Sequence, residues 1–232
     1  WQMRADVVRL TRITGPFAPV ATFTGTVEAD SLHSLGRQTD HVEMDYTWHE
    51  PRLSYSRLEA RDNDTTLVTH GFADFDPGRE AMTATLEGGR LTIGELTWIP
   101  EAPVIVEGVR ADYHVLPGRF HSEAGSSVVE AFFQSDRGLM NSRFTDMKID
   151  LAVMAGSRKA PQFHGGLLRG NLTLSGLIVR PDPSGRLRFE DYRWDRAVVD
   201  SAYFDFTTKD ERLDVWDGWA DAGSGRLDFR GG

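Results

Sequence analysis

The sequence of 232 residues contains no cysteine and only three lysines. The absence of cysteine excludes disulfide bonds, zinc thiolate sites and thiol catalysis. No run of about 18 apolar residues occurs, so the sequence predicts no membrane-spanning helix. The arginines are scattered and the formal net charge is -9. Because nucleic-acid binding needs clustered positive charge to displace counterions, we expect no nucleic-acid partner.

Sequence signatures of enzymes are also missing, since there is no phosphate loop, no dinucleotide-binding glycine pattern and no Gly-x-Ser-x-Gly motif. The best carboxylate cluster is Glu43, Asp45 and Glu50. Two acids two residues apart share one face of a strand, as in some β-sandwich glycosidases. However, Trp48 stands where such an enzyme would place a third acid. We interpret the cluster as a solvated strand face and expect no enzymatic activity.

Metal and cofactor sites are not predicted either. The seven histidines include no pair four residues apart with an intervening glutamate. The stretch Asp62-Asn63-Asp64 lacks the glycine and the distal glutamate of a calcium loop, so it is typical of a tight turn. We therefore expect neither a bound metal nor a cofactor.

Alternation of apolar and polar residues is the main pattern that the sequence does have. Between Leu168 and Ile178, every second residue is apolar or glycine and the residues between are mostly polar. This period of two predicts a strand with one apolar face and one polar face. Pro181 to Gly185 then predicts a turn into the next strand. Similar stretches recur along the chain and predict roughly sixteen strands.

These patterns predict an all-β fold, an elongated antiparallel sheet that forms a single domain over residues 1–232 with a sub-boundary near 118–145. Gly88-Gly89 and the stretch Pro100 to Pro103 predict breaks between strands, and Met147 to Val153 predicts a strand. Ser126 to Leu139 departs from strict alternation, because its apolar residues also recur four apart. At most one short helix is therefore expected, near 126–139.

Two further features bear on the organisation of the chain. The phrase Gly-aromatic-Ala-Asp occurs at 71–74 and again at 218–221, which indicates an internal repeat. The sequence begins with Trp1 and ends at Gly232 in the middle of an alternating pattern. We therefore expect it to be a segment of a longer chain.

The segment Gly166 to Gly176, followed by Arg180-Pro181 and by Ser184 to Phe189, resembles the repeating unit of the TamB and AsmA-like envelope proteins. In that unit, Gly-x-Leu-x-Gly-x-Leu-x-Leu-x-Gly strands lead through a proline turn into Gly-x-Leu. The stretch Ala220 to Gly231 is similar to another phrase of these proteins. The resemblance covers the C-terminal third of the chain.

The resemblance implies a sheet curled into an apolar groove, β-taco or jelly-roll-like, in the periplasm of a diderm bacterium. It further implies that phospholipid acyl chains lie in the groove, that envelope or membrane proteins are partners, and that a segment outside this sequence tethers the protein to a membrane. The residues predicted to line the groove are Phe23, Val27, Met44, Tyr46, Ile149, Leu151, Leu172, Leu174, Ile178, Phe204 and Phe206.

Two alternatives from other functional classes stay open. Five tryptophans near predicted strand ends could form a sugar-stacking platform of a β-sandwich carbohydrate-binding module or glycosidase. These are Trp48, Trp98, Trp194, Trp216 and Trp219. A structural subunit of an envelope assembly is the second alternative, and it would pair its exposed sheet edges with other chains.

Overall fold

The computed structural model describes residues 7–14, 22–34, 37–157, 163–194 and 197–232. These residues form sixteen β-strands and one short α-helix. The strands are β1 (Val7–Thr14), β2 (Thr22–Ser34), β3 (Arg37–His49), β4 (Arg52–Asp62), β5 (Thr65–Asp76), β6 (Ala81–Ile93), β7 (Leu96–Pro100), β8 (Val104–Val109), β9 (Asp112–Ser122), β10 (Gly125–Gln134), β11 (Leu139–Asp150), β12 (Phe163–Leu177), β13 (Arg180–Trp194), β14 (Ala197–Lys209), β15 (Arg212–Ala222) and β16 (Gly225–Gly231). The helix α1 (Leu151–Ser157) connects β11 to β12.

All sixteen strands belong to one antiparallel sheet, which confirms the prediction of an all-β fold. Neighbours in the sequence are neighbours in the sheet, except that β7 and β8 lie one after the other between β6 and β9. These two strands therefore share one strand position, interrupted at residues 101–103, where the sequence predicts a break. The sheet continues without interruption through residues 118–145, where β9, β10 and β11 pair.

Along the whole length of the sheet, one face is apolar and the other is polar. Directly paired residues of neighbouring strands lie on the same face, so the register identifies each face. One row of paired residues contains Val129, Phe144, Leu172, Gly185 and Phe206. The face that carries this row is named the apolar face, and the opposite one, rich in threonine and charged residues, is named the polar face.

Shifts in register form a line across the middle of the sheet. They occur beside Tyr55 in β4, at Glu87 in β6 and beside Thr145 in β11. Each extra residue is a β-bulge, which bends its strand and increases the local twist. We name this the bend line, and it accounts for the curling of the sheet.

Glycine is required where the bend line crosses β12 and β6. Gly170 has φ +136°, and a Cβ atom added to it would lie 2.0 Å from the backbone oxygen of Arg186. Gly89 has φ +155°, and its Cβ would lie 2.6 Å from the oxygen of Val68. The predicted break at Gly88-Gly89 is therefore wrong, because these glycines bend β6 without ending it.

The short helix lies at Leu151–Ser157, and its prediction near 126–139 is wrong. Residues 125–134 form β10, whose backbone is hydrogen-bonded on both sides by β9 and β11, and this pairing outweighs the local spacing. Asp150 begins the helix, because its Oδ1 accepts hydrogen bonds from the amides of Ala152, at 2.9 Å, and Val153, at 3.2 Å. The predicted strand over Met147 to Val153 consequently ends at Asp150.

The hairpin between β12 and β13 turns at Ile178 and Val179, earlier than the predicted turn at Pro181 to Gly185. Pro181 and Pro183 lie in β13, beyond the last residue that pairs with β14, Ser184. The Pro183 carbonyl points towards β14 and accepts a hydrogen bond from the Thr208 hydroxyl at 2.6 Å. The missing proline N–H groups therefore face a side of the strand where no ladder needs them.

A small cluster of buried apolar residues lies beneath α1. Leu96, Ala124 and Ile149 are buried together, with exposed fractions of 8%, 0% and 4%. Val153 and Met154 of the helix pack against this cluster from above the apolar face. With seven residues, α1 is too short to cross a membrane, and it is the sole helix of the described ranges. At the two ends of the sheet, β1 and β16 each pair on one side only within these ranges.

We predict that Gly170→Ala lowers the free energy of unfolding by about 1–3 kcal/mol, because the added methyl group collides with the backbone of β13. Gly165→Ala in the same strand is the matched control, since its Cβ would meet nothing within 4 Å. Urea unfolding followed by circular dichroism measures both variants. Equal midpoints for the two variants would show that Gly170 is not required for the bend.

Candidate functional site

Within the described ranges, the apolar face has no second layer of protein over most of its extent. The chain exposes 14397 Å² of surface, whereas a compact protein of its mass of 26.0 kDa exposes about 10,500 Å². Among the described residues, no large side chain is less than 2% exposed. The apolar side chains therefore form a surface that is partly accessible to solvent, and they do not form the dry interior of a two-sheet sandwich.

Nine of the eleven predicted groove residues lie on the apolar face of strands: Phe23, Val27, Met44, Tyr46, Ile149, Leu172, Leu174, Phe204 and Phe206. Eight of these nine are partly exposed, and Ile149 is buried beneath α1. The other two were predicted as strand residues and are not. Leu151 is buried in the first turn of α1, and Ile178 is buried in the hairpin turn after β12.

Aromatic rings contact one another across intervening strands on the apolar face. Trp48 of β3 and Phe75 of β5 have ring centroids 5.6 Å apart. Phe204 of β14 and Phe229 of β16 have centroids 5.3 Å apart, over Gly218 of β15. Strands two positions apart are separated by about 9.6 Å, so these rings bridge the strand between them. The contacts create aromatic surface near both ends of the sheet.

Several residues of the apolar face are absent from the predicted groove lining. Leu58 pairs with Met44 but lies three residues after Tyr55, because the bulge in β4 breaks the alternation. Strict alternation therefore cannot identify Leu58. Phe75 and Phe189 do follow the alternation of their strands, and that signal would have found them.

The polar face carries networks of ion pairs. Glu59 is 4% exposed and forms ion pairs with both Arg57 and Arg61. Hydrogen bonds from Arg57 and Arg61 hold the pKa of Glu59 below its ordinary value of 4.5, although burial acts in the opposite direction. Glu43 lies opposite Glu59 and is 3.8 Å from Arg57. These contacts account for the acidic residues of β3 and β4 as parts of a charged outer surface.

A depression of about 1170 Å³ follows the bend line on the polar face between β2 and β6. Arg52 lies at its edge, 4.2 Å from the centre of the Phe72 ring, and binds Asp74 through two hydrogen bonds of 2.6 and 2.8 Å. These bonds hold the pKa of Asp74 below its ordinary value. Tyr55, which pairs with Tyr46 and Gly71, borders this depression at the bulge of β4. Burial, reinforced by the charge of Glu87, raises its pKa.

The two copies of the Gly-aromatic-Ala-Asp phrase share this local arrangement. In the second copy, Arg226 lies 4.7 Å from the centre of the Trp219 ring and 3.9 Å from Asp221. Arg226 pairs directly with Asp221 across the ladder, as Arg52 does with Asp74. In both copies an arginine of a neighbouring strand therefore covers the aromatic ring and lies beside the aspartate. Arg226 makes its hydrogen bond to Asp228, at 3.1 Å.

The acidic residues considered for catalysis and the tryptophans considered for sugar binding lie on different surfaces of the sheet. Asp45 accepts a hydrogen bond from Thr26 at 2.7 Å on the polar face, and Glu50 is exposed in a turn. Over the described ranges, no three His, Asp or Glu side chains form a group able to hold a metal ion. Trp48 and Trp98 lie on the apolar face, whereas Trp216 and Trp219 lie on the polar face. The side chain of Trp194 lies outside the described residues.

Comparison with family models, with curated proteins and with solved structures finds no match in any of the three. None of these comparisons identifies the TamB and AsmA-like family, so the resemblance noted in the C-terminal third stays a prediction.

We predict that Glu59→Gln lowers the thermal unfolding midpoint at pH 7 by about 3 °C or more, because it leaves Arg57 and Arg61 without their shared partner. The pKa of Glu59 is lowered by folding, so its contribution is complete above 4.5 and is lost as the pH falls through the folded value. The difference between variant and wild type is therefore expected to shrink in acid. Glu28→Gln is the control, because among the described residues Glu28 forms one long ion pair, 3.8 Å, with the exposed Arg9. A difference that is independent of pH would contradict the ionic explanation.

Proposed function

We propose that this protein binds phospholipid acyl chains along its apolar face and catalyses no reaction. The observation that carries the proposal is the partly exposed apolar face, which runs through every strand from β2 to β16 and which, among the residues that the structure describes, is covered only at α1. A monomer rarely exposes a contiguous apolar surface of this extent unless something apolar binds it. Hydrocarbon chains fit an elongated surface that offers mostly dispersion contacts and few directional hydrogen bonds.

The length of the sheet suits an acyl chain that can shift its position along the apolar face. Sixteen strands, of which β7 and β8 share one position, make fifteen positions and a sheet roughly 70 Å long. Each buried methylene group contributes ~0.8 kcal/mol. Because similar apolar side chains recur along the sheet, no single position would hold a chain much more tightly than its neighbours. Such a surface favours movement of a lipid along it.

The cellular setting belongs to the same proposal. A periplasmic location, tethering to a membrane and envelope or membrane proteins as partners are supported by the resemblance of the C-terminal third to the TamB and AsmA-like proteins. An elongated apolar surface agrees with this setting, since a lipid between two membranes needs shielding from water. Measurement of the lipid that co-purifies with the protein also tests the carbohydrate-binding and structural-subunit alternatives.

We predict that Leu172→Asp and Leu174→Asp strongly reduce the amount of phospholipid that co-purifies with the protein. Both residues lie on the apolar face of β12, and a carboxylate there would lose its hydration when hydrocarbon covers it. Mass spectrometry of organic extracts measures the bound lipid, and circular dichroism checks that the sheet is retained.

Thr173→Asp is the matched control, because Thr173 lies between the two leucines on the polar face, opposite Arg143. We expect it to retain wild-type lipid content. Equal lipid content in all variants would contradict binding on the apolar face. Absence of lipid from the wild-type protein would favour the carbohydrate-binding or structural alternative.

A further inference from the structure

The apolar face contains a depression close to one rim of the sheet. This rim is formed by the turns at 50–51, 77–80, 110–111, 135–138, 178–179 and 210–211. Just inside it, Phe75, Met82, Gly108 and Tyr113 form a row of directly paired residues across β5, β6, β8 and β9. Together with Trp48 they line a depression of about 400 Å³, which is named the rim pocket.

The rim pocket owes its shape to Gly108, which is buried and has no side chain. The place of its missing Cβ lies 2.9 Å from Met82 Cγ and 2.9 Å from Tyr113 Cε1, so these two side chains close over the glycine and form the floor. Trp48 and Phe75 form a wall, with their ring planes inclined at 51°. Three aromatic rings therefore surround one small space.

Charged groups of both signs stand at the mouth of the rim pocket. Glu80 and Arg110 form an ion pair of 3.2 Å and are 68% and 78% exposed. The amide of Arg110 also donates a hydrogen bond of 2.8 Å to the Glu80 carbonyl, which joins the two turns. Asp76 lies beside them and accepts hydrogen bonds from the amides of Gly78 and Arg79. The mouth thus offers carboxylates and a guanidinium group within one pocket.

We propose that the rim pocket binds the headgroup of a zwitterionic phospholipid, one that carries a choline or ethanolamine ammonium group, while the acyl chains of that lipid lie on the apolar face. This inference rests on the proposed function and adds the class of lipid. The ammonium group is attracted to the faces of Trp48, Phe75 and Tyr113, as in aromatic cages for quaternary ammonium ligands. The phosphate lies within reach of Arg110, whose planar guanidinium suits phosphate oxygens.

The charges favour a zwitterionic headgroup over an anionic one. Asp76 pairs with Arg79 at 3.6 Å and Glu80 pairs with Arg110, so the mouth presents both signs of charge and matches a headgroup that also carries both. The chain as a whole has a formal net charge of -9, which disfavours a headgroup that carries only negative charge. A free ammonium headgroup without hydrocarbon would gain the cation–π contacts but not the burial of methylene groups. The combination of aromatic pocket and adjoining apolar face therefore selects a complete lipid.

The test measures binding of three soluble amphiphiles to the purified chain by isothermal titration calorimetry. The probes are dihexanoylphosphatidylcholine, dihexanoylphosphatidylglycerol and decanoate, each below its micelle concentration. We expect the wild-type protein to bind the choline lipid on the order of tenfold more tightly than the glycerol lipid. Trp48→Leu and Phe75→Leu keep apolar bulk but remove the ring face, so each is expected to abolish most of that preference for the choline lipid over the glycerol lipid.

Trp216→Leu is the matched control, since Trp216 is 63% exposed and lies on the polar face. It is expected to keep the wild-type preference. Equal affinity of the wild-type protein for both lipids, with decanoate still bound, would overturn the rim-pocket proposal and leave acyl-chain binding intact. Failure to bind any of the three amphiphiles would overturn the proposed function and the headgroup inference together. The wild-type comparison decides the question even if a pocket variant fails to fold.

Discussion

The ladder of backbone hydrogen bonds between neighbouring strands is the interaction on which this structure depends. Each strand between the two end strands is held by a neighbour on either side, and α1 is the one element of the described ranges that adds a second layer. Most globular domains instead press two layers together and bury side chains between them. Here the side chains of one face are packed mainly against their own cross-strand neighbours. The apolar face is thereby left partly exposed to solvent.

This construction links the fold to the proposed role. The bend line curls the sheet through bulges and through glycines whose Cβ atoms would strike a neighbouring backbone, as at Gly170. Curling brings aromatic rings of alternate strands into contact, and the small residues between them leave shallow spaces such as the rim pocket. The backbone ladder therefore supports a partly exposed apolar face, whereas the polar face carries ion pairs such as those of Glu59.

The sequence was sufficient for the strand class and for the division into two faces, because a period of two is a direct consequence of strand geometry. The sequence was insufficient where pairing between strands outweighed a local turn or helix signal. Pro181 and Pro183 signal a turn in isolation, yet they fit β13 because their missing donors face an unpaired side. The helix could have been placed from Asp150 and the helix-forming residues that follow it. The rim pocket could not have been found, since its residues come from five strands that only the register brings together.

The strands β1 to β16 pair along a single line, and this arrangement also determines which parts of the sheet unfold locally first. In such one-dimensional arrays, stability is approximately a sum of nearest-neighbour terms. The two outermost strands each have one neighbour among the described residues, so amide protons there would exchange with solvent first. Those near Ala124 and Ile149, beneath the helix, would exchange last. Hydrogen exchange measured residue by residue would accordingly show amide protection that increases from both ends of the sheet towards the strands beneath α1.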